Sequence, residues 1–129
     1  MAERRAGSVS ASTVLRVLAA LVFIGAGLRK LIGNGVVIED FGRWNVPAPE
    51  VMVYVIGVLE LTGGILLVAG LMPRIAAGVL GVDMAAAAVL AGPVDPIPHL
   101  VVPLALLAVC VLIYRENGRG RAILSPPWK

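Results

Sequence analysis

Residues 51–71 read VMVYVIGVLELTGGILLVAGL, a run with a single charged residue, Glu60, near its middle. At about 1.5 Å of rise per residue, a helix of this length crosses the ~30 Å hydrocarbon core of a bilayer. The run is apolar on every side, so it lacks the polar face that a helix in a soluble bundle turns to water. Three further stretches follow the same rule. Thr13–Ile32 carries Arg16, Arg29 and Lys30 near its ends, Ile75–Ala91 carries only Asp83, and His99–Tyr114 contains no Asp, Glu, Lys or Arg. The chain of 129 residues is 59% hydrophobic with a mean hydropathy of +0.94, far outside the range of ordinary soluble domains. These features predict an all-α polytopic membrane protein, a four-transmembrane-helix bundle. Its spans lie at about 13–32, 51–71, 75–91 and 99–114, between an N-terminal tail (1–12) and a basic C-terminal tail (115–129).

The connections have their own signatures. Residues 33–49 place Val37, Phe41 and Trp44 at i, i+4, i+7 among Glu39, Asp40 and Arg43. This pattern suits either a short interfacial helix with Trp44 at headgroup depth or a loop folded over the bundle mouth. Pro47 and Pro49 are expected to end any helix there. Met72-Pro73-Arg74 is expected to turn tightly into the third span, and the proline-rich 92–98 stretch to break the chain before the fourth. Pro103 then falls in the first turn of that span, where a missing N–H matters little. A rival reading takes Arg4, Arg5, the apolar 17–28 stretch and Gly25-Ala26-Gly27 as a secretory signal with its cleavage site.

The net charge of +3 and pI near 9.6 come from residues flanking the spans. They form no basic stripe with interleaved aromatics, so a nucleic-acid partner is excluded and the lipid bilayer is the expected one. Four spans put both termini and the 72–74 turn on one side, with Arg4, Arg5, Arg74, Arg115, Arg119, Arg121 and Lys129. The other side has Arg43, plus Arg29 and Lys30 if they reach it. The positive-inside rule makes the termini cytoplasmic. Cys110 is the one cysteine and His99 the one histidine, so the sequence offers no internal disulfide, no haem ligand pair and no metal-ligand cluster. No tightly held cofactor is expected. Cys110 reads as core packing, and His99 as a solvated end residue or, alternatively, a proton carrier.

Ionisable groups at bilayer depth cost about 2.5–3.5 kcal/mol each on insertion scales, so each calls for a partner. Glu60 is flanked by Gly57, Gly63 and Gly64 at helical spacing, and Lys30 by Ala26 and Gly27. Such bare faces let helices approach closely and point Glu60 into the bundle. Lys30 is its natural partner. Rigid-helix bookkeeping sets the two Cα atoms about 10 Å apart in height, leaving room for a bridging water or ligand. The same bookkeeping pairs Arg16 with Asp83 as a second, structural ion pair. The candidate site is therefore Glu60 and Lys30, lined by Gly27, Gly57, Gly63 and Gly64, and either structural glue or a functional centre.

Phe23, Gly27 and Lys30, then Glu60, Gly63, Gly64, Leu67 and Gly70, then Arg74, Ala77, Leu80 and Met84, resemble the DoxX-like membrane proteins over about residues 15–90. The Gly57–Leu71 fragment is the most specific part. The resemblance implies a four-helix bacterial plasma-membrane protein, sometimes a subunit of thiosulfate:quinone oxidoreductase and sometimes a membrane partner of detoxifying enzymes. Three roles follow as expectations. One is a membrane subunit of a redox or detoxification complex, with a protein partner or a homo-oligomer, binding a quinone near Glu60 and Lys30. Another is a non-catalytic scaffold holding soluble enzymes through residues 115–129. The last is a small proton-coupled exporter, disfavoured because the chain has only two Trp, two Tyr and two Phe with which to cage a cationic drug.

The topology is checked by cysteines introduced singly at Asn45 and Arg74 in a Cys110→Ser background. In intact cells an impermeant thiol reagent is expected to label Asn45→Cys only, whereas labelling of both sites would refute the four-span count, which places one crossing between them.

Overall fold

The computed structural model describes residues 11–117, so all but residues 11–12 and 115–117 of the expected tails, 1–12 and 115–129, lies outside the described residues. Five helices follow in order: α1 (Ala11–Leu31), α2 (Gly35–Arg43), α3 (Pro49–Ala69), α4 (Pro73–Ala91) and α5 (Pro96–Asn117). All but α2 are long and apolar enough to cross a membrane. The fold is the all-α four-helix bundle expected, with no strand among the described residues. Ala11 and Ser12, expected in the tail, are already helical.

The prolines act differently from the expectation at three places, always as helix starters. Pro49 and Pro73 open α3 and α4, preceded by Ala48 and Met72 in the left-handed region. A proline at the first helical position has no N–H to leave unpaired, and its fixed φ already suits a helix. The α3–α4 turn is thus Gly70–Met72, with Gly70 also left-handed and its N–H returning to α3. Likewise α5 begins at Pro96 rather than near His99, so Pro103 is inside the helix and not in its first turn. Lacking an N–H, it cannot close the bond to the carbonyl four residues back.

The bundle is two antiparallel pairs. α1 packs along α3 and α4 along α5, with α3 against α4 and α1 touching α5 to join them. The core is built from Ala19, Ala20 and Phe23 of α1, Leu67 of α3, Ala76, Ala77, Leu80 and Met84 of α4, and Cys110 and Ile113 of α5. Removing α1 as a leader would take part of this core away. Cys110 is 1% exposed, in the packing role expected of it. Val22, Val58, Val82, Val89 and Val101 are among the many large apolar side chains that face outward, as a bilayer requires and water does not tolerate in one continuous band.

The α1–α3 contact is close because glycines make it. A Cβ on Gly27 would sit 2.7 Å from the Leu61 nitrogen and 2.8 Å from the Gly57 carbonyl oxygen, and one on Gly64 would sit 2.9 Å from the Ala20 carbonyl oxygen. With no hydrophobic exclusion between helices in lipid, this backbone approach supplies the dispersion contact that holds the pair. The α2 helix lies over the opposite mouth, Val37 and Phe41 packing on Val53 of α3. The segment forms a short helix, α2, that folds over the bundle mouth.

Gly64→Ala is expected to destabilise the bundle by about 1–3 kcal/mol, because rigid backbone stands where the methyl would go. Gly25→Ala meets nothing within 4 Å and is expected to be neutral or stabilising through helix propensity. Thermal denaturation in detergent distinguishes the two, and equal melting temperatures would refute the packing assignment.

Candidate functional site

Lys30 of α1 and Glu60 of α3 meet in the bundle. Lys30 Nζ donates to Glu60 Oε1 at 2.8 Å, and Glu60 is 2% exposed. No bridging water is needed, contrary to the spacing expected from rigid helices. The reason is the glycine-set register. A Cβ on Gly57 would sit 3.0 Å from Lys30 Cβ, so Lys30 emerges beside Gly57, one turn along α3 from Glu60. Asn34 Nδ2 donates to the Lys30 carbonyl at 2.8 Å, satisfying one open carbonyl at the end of α1. The lysine is therefore held from its backbone outward.

Asp83 of α4 completes the centre. Its charged neighbours are Glu60 and Lys30, and its Oδ2 is buried without a hydrogen-bond partner. The expected Arg16–Asp83 ion pair does not form. Asp83 lies about 15 Å from the Pro73 end of α4, and Glu60 about 14 Å from the Ala69 end of α3, so the two acids share one depth. Arg16 is only about 8 Å into α1. Its guanidinium donates instead to the Leu67 carbonyl at the end of α3. A cation at a helix C-terminus meets unpaired carbonyls and the negative end of the helix dipole. The centre is thus two carboxyls and one ammonium, drawn from three helices.

The four glycines surround this centre, but their bare faces are filled by neighbouring helices. Gly27 faces Gly57 and Leu61, Gly63 faces Leu80, and Gly64 faces Ile24 and Ala20. They bring the charged groups together; in this structure they leave no open slot. The remaining polar reach of the centre is Lys30, whose side chain keeps 17% of its accessibility, and the free Asp83 Oδ2.

A second polar cluster ties α2 to the start of α5. Asp95 accepts from Arg43 Nη2 at 2.9 Å and from Trp44 Nε1 at 2.8 Å, while Arg43 also reaches Asp40 at 2.8 Å. The Trp44 ring lies 4.5 Å from that of His99, whose Nδ1 is buried and unpartnered. His99 is therefore part of an aromatic contact and only half-exposed. No local spacing announces this cluster, because Arg43 and Asp95 are 52 residues apart.

The DoxX family model matches residues 11–93, more than half of the chain, including α1 to α4 and all three members of the polar centre. This chain belongs to the DoxX family. A protein of Bacillus subtilis (strain 168) named "Putative oxidoreductase CatD" is 40% identical over 62 residues, which is 48% of this chain and 45% of the relative. The match therefore spans less than half the length of CatD. No solved structure matches. As a DoxX protein the chain is a multi-pass membrane protein, in keeping with its four apolar helices.

Hydrogen bonds from Arg43 and Trp44 hold the Asp95 carboxyl below the usual carboxylate range. A group whose pKa is lowered on folding contributes stability above its unfolded value, ~3.9 for Asp, and loses it as pH falls through the folded value. The α2 clip is expected to be intact at neutral pH and to open in acid. In a Trp128→Phe background Trp44 fluorescence should report an acid transition that Asp95→Asn abolishes, and an unchanged transition in that variant would contradict this.

Proposed function

We propose that this chain is the integral membrane subunit of an oxidoreductase complex and that its Lys30–Glu60–Asp83 centre binds the head of a quinone at the depth of the bilayer midplane. The observation that carries the reading is Asp83. A structural ion pair needs one acid and one base, and Lys30 with Glu60 already supplies both. A further carboxyl beside Glu60, with one oxygen buried and unpartnered, adds a second acid and its desolvation cost to a pair that is already matched. Groups of this kind inside membranes line ion, proton or ligand sites.

The donor set suits a quinone. Lys30 uses one ammonium hydrogen on Glu60 and has two more to offer a carbonyl oxygen. Asp83 Oδ2 can take up or release a proton at the same place, and Glu60 holds the lysine in position. The quinone, when bound, supplies the electron-accepting chemistry, and the chain's residues orient it and move the proton. The chain itself has no cysteine pair, so electrons reach this site from a partner protein of the complex. Redox character agrees with the name of CatD, although that relative shares only part of its length with this chain. In this reading the protein resides in a bacterial plasma membrane with Arg74 and both termini in the cytoplasm.

Removing one partner of a buried pair strands the other, so the conservative changes are the informative ones. Glu60→Gln and Asp83→Asn keep shape while removing charge. Both are expected to stay folded in detergent and to lower affinity for a short-chain quinone at least tenfold, with Lys30→Met showing a similar loss. Calorimetric titration measures this. A stable Glu60→Gln protein with native quinone affinity, or a wild-type protein that binds none, would refute the proposal.

A further inference from the structure

On the lipid-facing side of the α4–α5 pair, away from the polar centre, runs an apolar groove of about 250 Å³. Its floor is Ala77, Gly78, Gly81 and Ala85 of α4, and Leu107 and Tyr114 of α5 form its far wall and end. The small residues recur every three or four positions on one stripe of α4, so the furrow follows the helix axis for about 12 Å from Ala77 to Ala85. It opens outward, where the neighbouring Val82 is 71% exposed. One end lies near mid-bilayer. The other meets the Tyr114 ring, which a Cβ on Gly78 would approach to 3.5 Å.

Arg74 stands at that end. One turn before Gly78, its guanidinium covers the Tyr114 ring at 4.3 Å. Its Nε is buried without a hydrogen-bond partner, and no described carboxylate pairs with it. The cation is thus held by an aromatic face with no carboxylate beside it among the described residues, at the mouth of a channel shaped for a hydrocarbon chain.

We propose that this groove binds one anionic phospholipid of the leaflet on the Arg74 side, with an acyl chain along Ala77–Ala85 and the headgroup phosphate on Arg74. Charge complementarity selects this occupant. A second copy of the chain in the same membrane orientation would present its own Arg74 and Arg115 at that depth, setting cation against cation. A phosphate diester instead matches the donor geometry of a guanidinium, and the chain it carries fills the apolar furrow. The site does not depend on the quinone reading.

The test is native mass spectrometry of the full chain released from vesicles of equal phosphatidylglycerol and phosphatidylcholine. Wild-type protein is expected to retain phosphatidylglycerol about fivefold over phosphatidylcholine, the ratio equivalent to the ~1 kcal/mol typical of one basic residue at an anionic surface. Arg74→Gln should bring the ratio near one, and Ala85→Leu, which fills the furrow, should reduce retention of both lipids while helicity by circular dichroism is unchanged. Soluble glycerol phosphate should not displace the lipid. Equal retention by wild-type protein, an unchanged preference in Arg74→Gln, displacement by glycerol phosphate, or disulfide-linked dimers of an Ala85→Cys, Cys110→Ser chain would each overturn the proposal.

Discussion

The backbone approach of α1 to α3 is the constraint on which the other features depend. Gly27 admits the Gly57 carbonyl and the Leu61 nitrogen, and Gly64 admits the backbone of Ala20. Two helices that touch backbone to backbone have one register, because a shift in either direction drives a side chain into a main chain. That register sets Lys30 beside Gly57 and hence one turn from Glu60. The ion pair follows from packing. Once formed it reinforces the packing, since breaking the pair would leave a charge buried in a medium that cannot hydrate it.

The bundle was legible because lipid imposes simple rules. Every spanning segment must satisfy its own backbone, so four apolar runs become four helices. The glycines beside Glu60 likewise announced where helices would come closest, and Lys30 was the cation whose small neighbours matched. The reading of Pro49 as a helix stop, Pro73 as part of a turn and Pro96 as part of a breaker differs from the structure, where each opens a helix because its missing N–H is harmless in a first turn. That error moved Pro103 from the interior of α5 to its start.

The partner of Asp83 was not legible, for a different reason. Height along a rigid helix can be counted from a sequence, but rotation and tilt against neighbours cannot. Arg16 and Asp83 looked available to one another until the end of α3 took the guanidinium at Leu67. Asp83 then remained at the depth of Glu60. The contact between Arg43 and Asp95 is beyond local pattern altogether, being made at one end of the bundle by the end of α2 and the α4–α5 connection, which two crossing helices separate in sequence. Sequence periodicity describes faces within one helix; these contacts arise between elements.

The family assignment fixes what kind of molecule this is, and the polar centre is where the proposed function is placed. Fold alone would not, since one bundle serves many purposes. The functional account rests on Asp83, a second acid beside an ion pair that is already matched, at a depth where burying charge is costly. Infrared difference spectroscopy of the protein with and without a short-chain quinone examines that carboxyl directly. The account predicts a carboxyl band perturbed by quinone and absent from the Asp83→Asn protein; quinone binding that leaves every carboxyl band unchanged would contradict it.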